Sequence, residues 1–106
     1  MSTTEPATHT EEIREYLRLA RRGVDLAERA HDEDNARDAA RAVWTVDTCY
    51  LEASRLAEHV DPVDLAEVDR MMDSMDACVA YAEELAASVP GAPEKIRAAR
   101  EAWAES

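Results

Sequence analysis

Residues that interrupt helices are scarce in this chain of 106 residues, which has two glycines and four prolines. Phenylalanine is absent. Much of its apolar content is alanine, and alanine, glutamate, arginine and leucine all have high helix propensity. The composition therefore favours an all-α fold. No stretch approaches the roughly 18 consecutive apolar residues of a transmembrane helix, so a membrane span is not expected.

Cysteine is also scarce, and the two that occur, Cys49 and Cys78, fall in different predicted helices. Their predicted positions along the helix pair are offset by about 6 Å, which is too far for a disulfide once the distance between helices is added. We expect both thiols to be reduced, as is typical of cytosolic proteins. The first ten residues lack the basic start and apolar segment of a signal peptide. The sequence thus predicts a cytoplasmic protein.

Basic residues are outnumbered by acidic ones, 12 to 24, which gives a formal net charge of −12. Such a chain is repelled by the phosphates of nucleic acid and by anionic membranes, so neither is an expected partner. Net charge of this size favours solubility in itself. It also leaves open an alternative function, in which an acidic surface that includes Asp69, Asp73 and Asp76 mimics nucleic acid and inhibits a basic protein.

Two runs of small and apolar residues repeat with 3-4 spacing on either side of Asp61-Pro62. The first run consists of Ala36, Ala39, Val43, Val46, Tyr50, Ala53, Ala57 and Val60. The second run consists of Leu65, Val68, Met72, Met75, Val79, Ala82, Ala86 and Val89. This spacing keeps one face of a helix turned toward a partner helix, and proline is common at the first position of a helix. The pattern predicts an antiparallel helical hairpin.

The hairpin is the centre of a predicted all-α antiparallel helical bundle. Its stripes alone bury too little apolar surface to offset the entropy lost when long helices are ordered, so further helices must cover it. Trp103 is expected to hold the last of these against the bundle. We predict a disordered lead at 1–8 and a single domain at 9–106, with three long helices at about 9–31, 34–60 and 62–89 and a short C-terminal helix at about 93–104.

Capping residues mark where the predicted helices begin. Thr8, followed three residues later by a glutamate, has the spacing of a capping box. Asp32 or Asp34 is predicted to cap the second helix and Asp61 the third. No glycine or proline separates the first two helices, so a single continuous rod is the alternative. Gly23 lies inside the first helix, where glycine costs about 1 kcal/mol relative to alanine, and a close helix crossing would explain its presence.

One short motif suggests a metal-binding alternative. Glu28 and His31 form a Glu-x-x-His, which di-iron bundles use to bind metal from one helix face, and Glu84 could approach the same level of the bundle. Those bundles need two such motifs, and the sequence has one. We therefore predict no cofactor and no catalytic residues, and keep a metal-binding bundle of the ferritin-like type as an alternative.

Apolar residues beside the main stripes indicate how the protein acts. A second row on the first hairpin helix consists of Ala42, Cys49 and Leu56, and one on the second consists of Met71, Cys78 and Leu85. The predicted fourth helix is too short to cover the bundle. We therefore favour a non-enzymatic function in protein–protein interaction through an apolar groove, either as a homo-oligomer or with another protein. Trp44 lies outside the main stripe, and tryptophan is enriched at interfaces, so it is a further interface candidate. Packing of Trp44 against the first or the fourth helix is the alternative. The predicted interface residues are Trp44, Cys49, Leu56, Met71, Met75, Cys78 and Leu85.

Overall fold

The computed structural model describes residues 8–105, and in that range it contains four α-helices and no β-strand. The elements are α1 (His9–Asp32), α2 (Ala36–Ala57), a 3₁₀ turn (Pro62–Asp64), α3 (Leu65–Ala87) and α4 (Ala92–Ala104). The predicted bundle of three long helices and one short helix is confirmed, although α2 and α3 both end slightly earlier than predicted. Of the lead predicted at 1–8, all but Thr8 lies outside the described residues.

The three long helices run up, down and up, and α1 and α3 are parallel and in register. Thr10 bonds to Asp64 near one end of this pair, and Tyr81 donates to Glu28 near the other. α2 packs against both helices, whereas α4 packs mainly on α2 and touches α3 much less. The first three helices therefore form most of the core, and α4 adds the buried Ala92 and the half-buried Ile96 to it. Within residues 8–105 no helix is long and apolar enough to cross a bilayer.

α1 covers the second apolar rows of α2 and α3, which the sequence had assigned to an interface. Cys49 and Met71 from these rows are 5 % and 7 % exposed, and Val46 and Met75 from the main stripes are fully buried. All four belong to one hydrophobic cluster with α1 residues such as Ile13. The second rows are thus filled largely within a single chain.

The turn between α1 and α2 ends the first helix without a glycine. Asp34 adopts a left-handed conformation with φ of 52°, and the N–H of Asn35 donates to the carbonyl of Ala30 at 2.8 Å. This is the bond of a Schellman motif, and aspartate tolerates the left-handed region better than most residues. The predicted cap of α2 was wrong: neither Asp32 nor Asp34 caps it, because Asn35 accepts from the N–H of Asp38 at 3.1 Å. The two helices are separate, and no continuous rod forms.

The structure confirms the predicted capping hydrogen bond at the start of α1 but not the one predicted for α3. Thr8 caps α1 as predicted, since its hydroxyl oxygen accepts from the N–H of Glu11 at 3.1 Å. Asp61 holds the N-cap position before Pro62, as predicted, but it begins the 3₁₀ turn rather than α3 and its side chain makes no capping hydrogen bond. Asp64 accepts instead from the hydroxyl of Thr10 at 2.8 Å. This bond ties the start of α3 to the start of α1 rather than satisfying the backbone of α3.

Gly23 lies where α1 crosses α2 closely, as predicted. A Cβ atom at this position would stand 2.6 Å from Cγ2 of Val46 and 3.6 Å from the carbonyl oxygen of Ala42. Val46 is fully buried, and its branched side chain has few alternative rotamers. The close approach of the two helices therefore depends on glycine. The packing gained at this crossing compensates for the low helix propensity of Gly23.

We predict that Gly23→Ala lowers the free energy of unfolding by about 1–3 kcal/mol, because the new methyl group overpacks the crossing. Helix propensity alone predicts the opposite sign. Urea denaturation followed by circular dichroism measures the change. The double variant Gly23→Ala, Val46→Ala removes the methyl group that clashes, so it should lose less stability than the sum of the two single variants. Strictly additive effects, or a more stable Gly23→Ala, would contradict this packing.

Candidate functional site

The main candidate site is a groove between α2, α3 and the C-terminal half of α4. It encloses about 450 Å³, within the range of roughly 300–1,000 Å³ that is usual for ligand pockets. We call it the tryptophan groove. Its lining consists of Trp44, Asp47, Tyr50, Leu51, Asp76, Val79, Arg100, Trp103 and Ala104.

Exposed apolar side chains surround the tryptophan groove. Trp44, Leu51 and Trp103 are 47 %, 44 % and 41 % exposed, in contrast to the buried residues beneath them. The ring centroids of Trp44 and Trp103 are 6.1 Å apart and the rings are tilted by 45°, an arrangement that aromatic pairs favour. Trp103 thus packs on Trp44 and holds α4 against the bundle, as predicted.

Arg100 joins α4 to both neighbouring helices. Its guanidinium donates to the carboxylate of Asp47 on α2 at 2.9 Å and also to Glu83 on α3. The hydrogen bonds that Arg100 donates to Asp47 and Glu83 raise its pKa above the ordinary value, against a smaller opposing effect of burial. This cation is therefore shared between two carboxylates at the edge of the groove, and it fixes the position of α4.

Among residues 8–105, Asp76 is the carboxylate of the tryptophan groove that forms no salt bridge. It is exposed and lines the groove, and the salt bridges of residues 8–105 do not include it. The exposed Asp69 and Asp73 on the same helix also lack an ion pair in this part of the chain. The groove and its edge thus carry more negative charge than positive charge.

Of the predicted interface residues, the structure brings only Trp44 to the tryptophan groove. Met75 is fully buried, and Cys49 and Met71 are nearly so. The half-buried Leu56, Cys78 and Leu85 pack against the same core. Sequence reasoning did not select Leu51, although it lies seven residues after Trp44 and so shares a helix face with it. It also missed Tyr50 as a groove residue, because Tyr50 was assigned to the main stripe.

The candidate metal ligands do not form a metal site in the described part of the chain. Glu28 accepts a hydrogen bond from the hydroxyl of Tyr81 at 3.3 Å. Nδ1 of His31 lies 3.7 Å from Oδ1 of the adjacent Asp32. The negative charge of Glu28 is the main cause that raises the pKa of Tyr81, and burial and the charge of Glu84 add to it. Between residues 8 and 105 no group of three or more His, Cys, Asp or Glu side chains is placed to hold a metal ion.

Both cysteines are free thiols. Burial raises the pKa of Cys49, and burial also raises the pKa of Cys78, where nearby Arg21 partly opposes the effect. A thiol with a raised pKa holds less of the reactive thiolate at neutral pH. The arrangement therefore argues against nucleophilic or redox chemistry at either residue.

Comparisons with protein families, with curated protein sequences and with solved structures find no significant match to this chain. The chemistry of the tryptophan groove is therefore the basis for a functional proposal. Aromatic rings, an aliphatic side chain and a few charges suit the binding of an apolar group next to a cation.

We predict that Arg100→Met loosens α4 and lowers the free energy of unfolding by about 1 kcal/mol or less, because solvent screens ion pairs at this half-exposed side chain. Tryptophan fluorescence should shift to longer wavelength as Trp103 moves away from Trp44. Arg97→Met is the matched control, since Arg97 is an exposed arginine of the same helix without an ion pair among residues 8–105. Equal effects of the two substitutions would contradict the role of Arg100.

We predict that the folded protein reacts more slowly with iodoacetamide at about pH 8 than the unfolded chain does, because burial raises the pKa of both thiols and lowers their thiolate fraction. The unfolded chain ionises these thiols at lower pH than the folded chain does. The free energy of unfolding should therefore fall as the pH rises past about 8.5. Alkylation rates with and without urea, and urea denaturation at several pH values, measure the two effects. Equal alkylation rates in folded and unfolded protein would contradict the burial.

Proposed function

We propose that this protein is a non-catalytic binding module whose tryptophan groove receives an apolar segment of another protein. The observation that supports this most directly is the exposure of Trp44, Leu51 and Trp103 around one cavity. Tryptophan is the residue type most enriched at the energetic centres of protein interfaces. An apolar patch exposed at one place on a helical protein is typical of an interaction site.

The position of α4 supports a groove that is built for an occupant. Ile96 and Ala99 of α4 lie over Ala40 and Val43 of α2, so the first half of α4 buries apolar surface. Beyond Arg100 the helix continues over the groove and ends at Ala104. A space of about 450 Å³ remains beneath its end, with room for a few large side chains of a partner.

Charge favours another protein over a second copy of this chain. The formal net charge is −12, and Asp47, Asp76 and Glu83 outnumber Arg100 in and beside the groove. Two copies that met at this face would bring like charges together, which disfavours association. Self-association through the groove, the other form of interaction that the sequence allows, is therefore the less favourable one.

The polar groups of the groove support binding rather than catalysis. Its ionisable side chains are those of Asp47, Tyr50, Asp76 and Arg100, and Arg100 is held by the Asp47 carboxylate. Serine, cysteine, histidine and lysine are missing from the groove lining of the described chain. The groove therefore lacks the paired nucleophile and base that acyl or phosphoryl transfer commonly uses.

The proposal is tested by selection from a random-sequence peptide library displayed on phage, with the whole protein as target. We expect peptides with large apolar side chains, and we expect Trp44→Ser to weaken their binding by about tenfold or more. Tyr81→Ser is the matched control, because Tyr81 is 42 % exposed but lies in a cleft beside α1. Circular dichroism verifies that both variants keep the helical fold.

Two outcomes would contradict the proposed function. In the first, the selection yields no peptide, or yields peptides whose affinity does not depend on Trp44. In the second, light scattering shows a dimer whose tryptophan fluorescence changes when it dissociates on dilution, which would mean that a second copy occupies the groove.

A further inference from the structure

At the edge of the tryptophan groove, the arginine of its lining is already paired with two carboxylates. Arg100 is bonded to both Asp47 and Glu83, so it has little capacity left to attract an anionic partner. Asp76 lines the same groove, is exposed and has no ion pair in the described chain. An occupant of the groove therefore meets a carboxylate whose charge is not yet balanced.

The acidic surface extends along α3 beyond the groove. Asp69, Asp73 and Asp76 are spaced by four and three residues, which places them on one side of the helix, and all three are exposed. Carboxylates at such spacing repel one another and destabilise the helix slightly. A cation bound beside them would relieve that repulsion, so this row favours a basic partner over a neutral one.

The aromatic rings of the groove suit the same kind of partner. Trp44 is about half exposed and lies in one groove with Asp76. An arginine or lysine side chain can place its charge over an indole ring, an attraction that is strongest for tryptophan. The same side chain can also reach a neighbouring carboxylate, because its stem is long and apolar. Trp44 and Asp76 together therefore favour the side chain of arginine or lysine, whose charge stands at the end of an apolar stem.

From these observations we infer that the segment received by the tryptophan groove is basic and amphipathic, with an arginine or lysine that lies against Asp76 and Trp44. This inference rests on the proposed function and adds the charge of the partner to it. A partner of this kind complements the acidic surface, so electrostatic attraction accelerates its association and makes its affinity depend on salt.

The inference is tested with synthetic copies of the peptides that the library selection yields. We expect these peptides to be enriched in arginine or lysine beside the apolar anchor. Asp76→Asn should weaken their binding by about threefold to fivefold, the effect of one partly exposed ion pair. Replacing the basic residue of the peptide with glutamine should have the same effect on the wild-type protein and little further effect on Asp76→Asn.

Asp25→Asn is the matched control for the charge of the whole protein. Asp25 is exposed, has no ion pair among residues 8–105, and lines a cleft on the side of α1. Both substitutions change the net charge by the same amount, so non-specific attraction of basic peptides falls equally. Binding that is weaker in Asp76→Asn than in Asp25→Asn therefore supports the inference, and equal effects overturn it.

The two proposals fail in different ways. Selected peptides that are apolar but neutral or acidic, and that still depend on Trp44, would overturn the basic partner and leave the binding module intact. A selection that yields no Trp44-dependent peptide would overturn both. A competing short DNA duplex that fails to displace the peptide fits the expected repulsion, whereas a duplex that binds in its place would overturn the charge argument.

Discussion

The close crossing of α1 over α2 at Gly23 is the contact on which the rest of the molecule depends. Because Gly23 has no side chain, α1 approaches α2 closely at this point. At that distance α1 covers the second apolar rows of both α2 and α3. Residues such as Cys49 and Met71 become core residues as a result. On the side of the bundle where α4 packs, Trp44 and Leu51 of α2 stay exposed.

α4 covers that side incompletely, and this is the origin of the tryptophan groove. With 13 residues it is about half as long as the 22-residue α2 on which it packs. Arg100 fixes the position of α4 by bonds to two other helices, so the groove beneath the end of α4 is already formed without a partner. A binding surface is more selective when its shape is fixed before the partner arrives.

The sequence predicted the parts of the fold that depend on local spacing. The apolar stripes, the Thr8 cap and the close crossing at Gly23 were all readable, because each follows from residue type and position in one helix. The sequence did not predict that Asn35 caps α2. That position depends on Asp34, which adopts the left-handed conformation usually taken by glycine.

The candidate site was predicted only in part, for a related reason. An apolar row shows that a helix face needs a partner, but it does not show which helix of the chain supplies that partner. α1 and α4 compete for the faces of α2, and their order in space is a tertiary property. Trp44 was recognised because of its residue type and Asp76 as part of an acidic row, but the sequence did not show that they line one groove. It also did not show that Arg100 pairs with Asp47 and Glu83, which leaves Asp76 without an ion pair among residues 8–105.

The central claim is that the tryptophan groove is the binding site, and nuclear magnetic resonance tests it most directly. The chain has two tryptophans, both in the groove, so its spectrum contains two indole N–H signals that report on this site alone. On titration with a selected basic peptide, we predict that both indole signals and the backbone amide of Asp76 shift together and saturate, while the amide of Tyr81 stays in place. Saturable binding with unmoved indole signals would contradict the account.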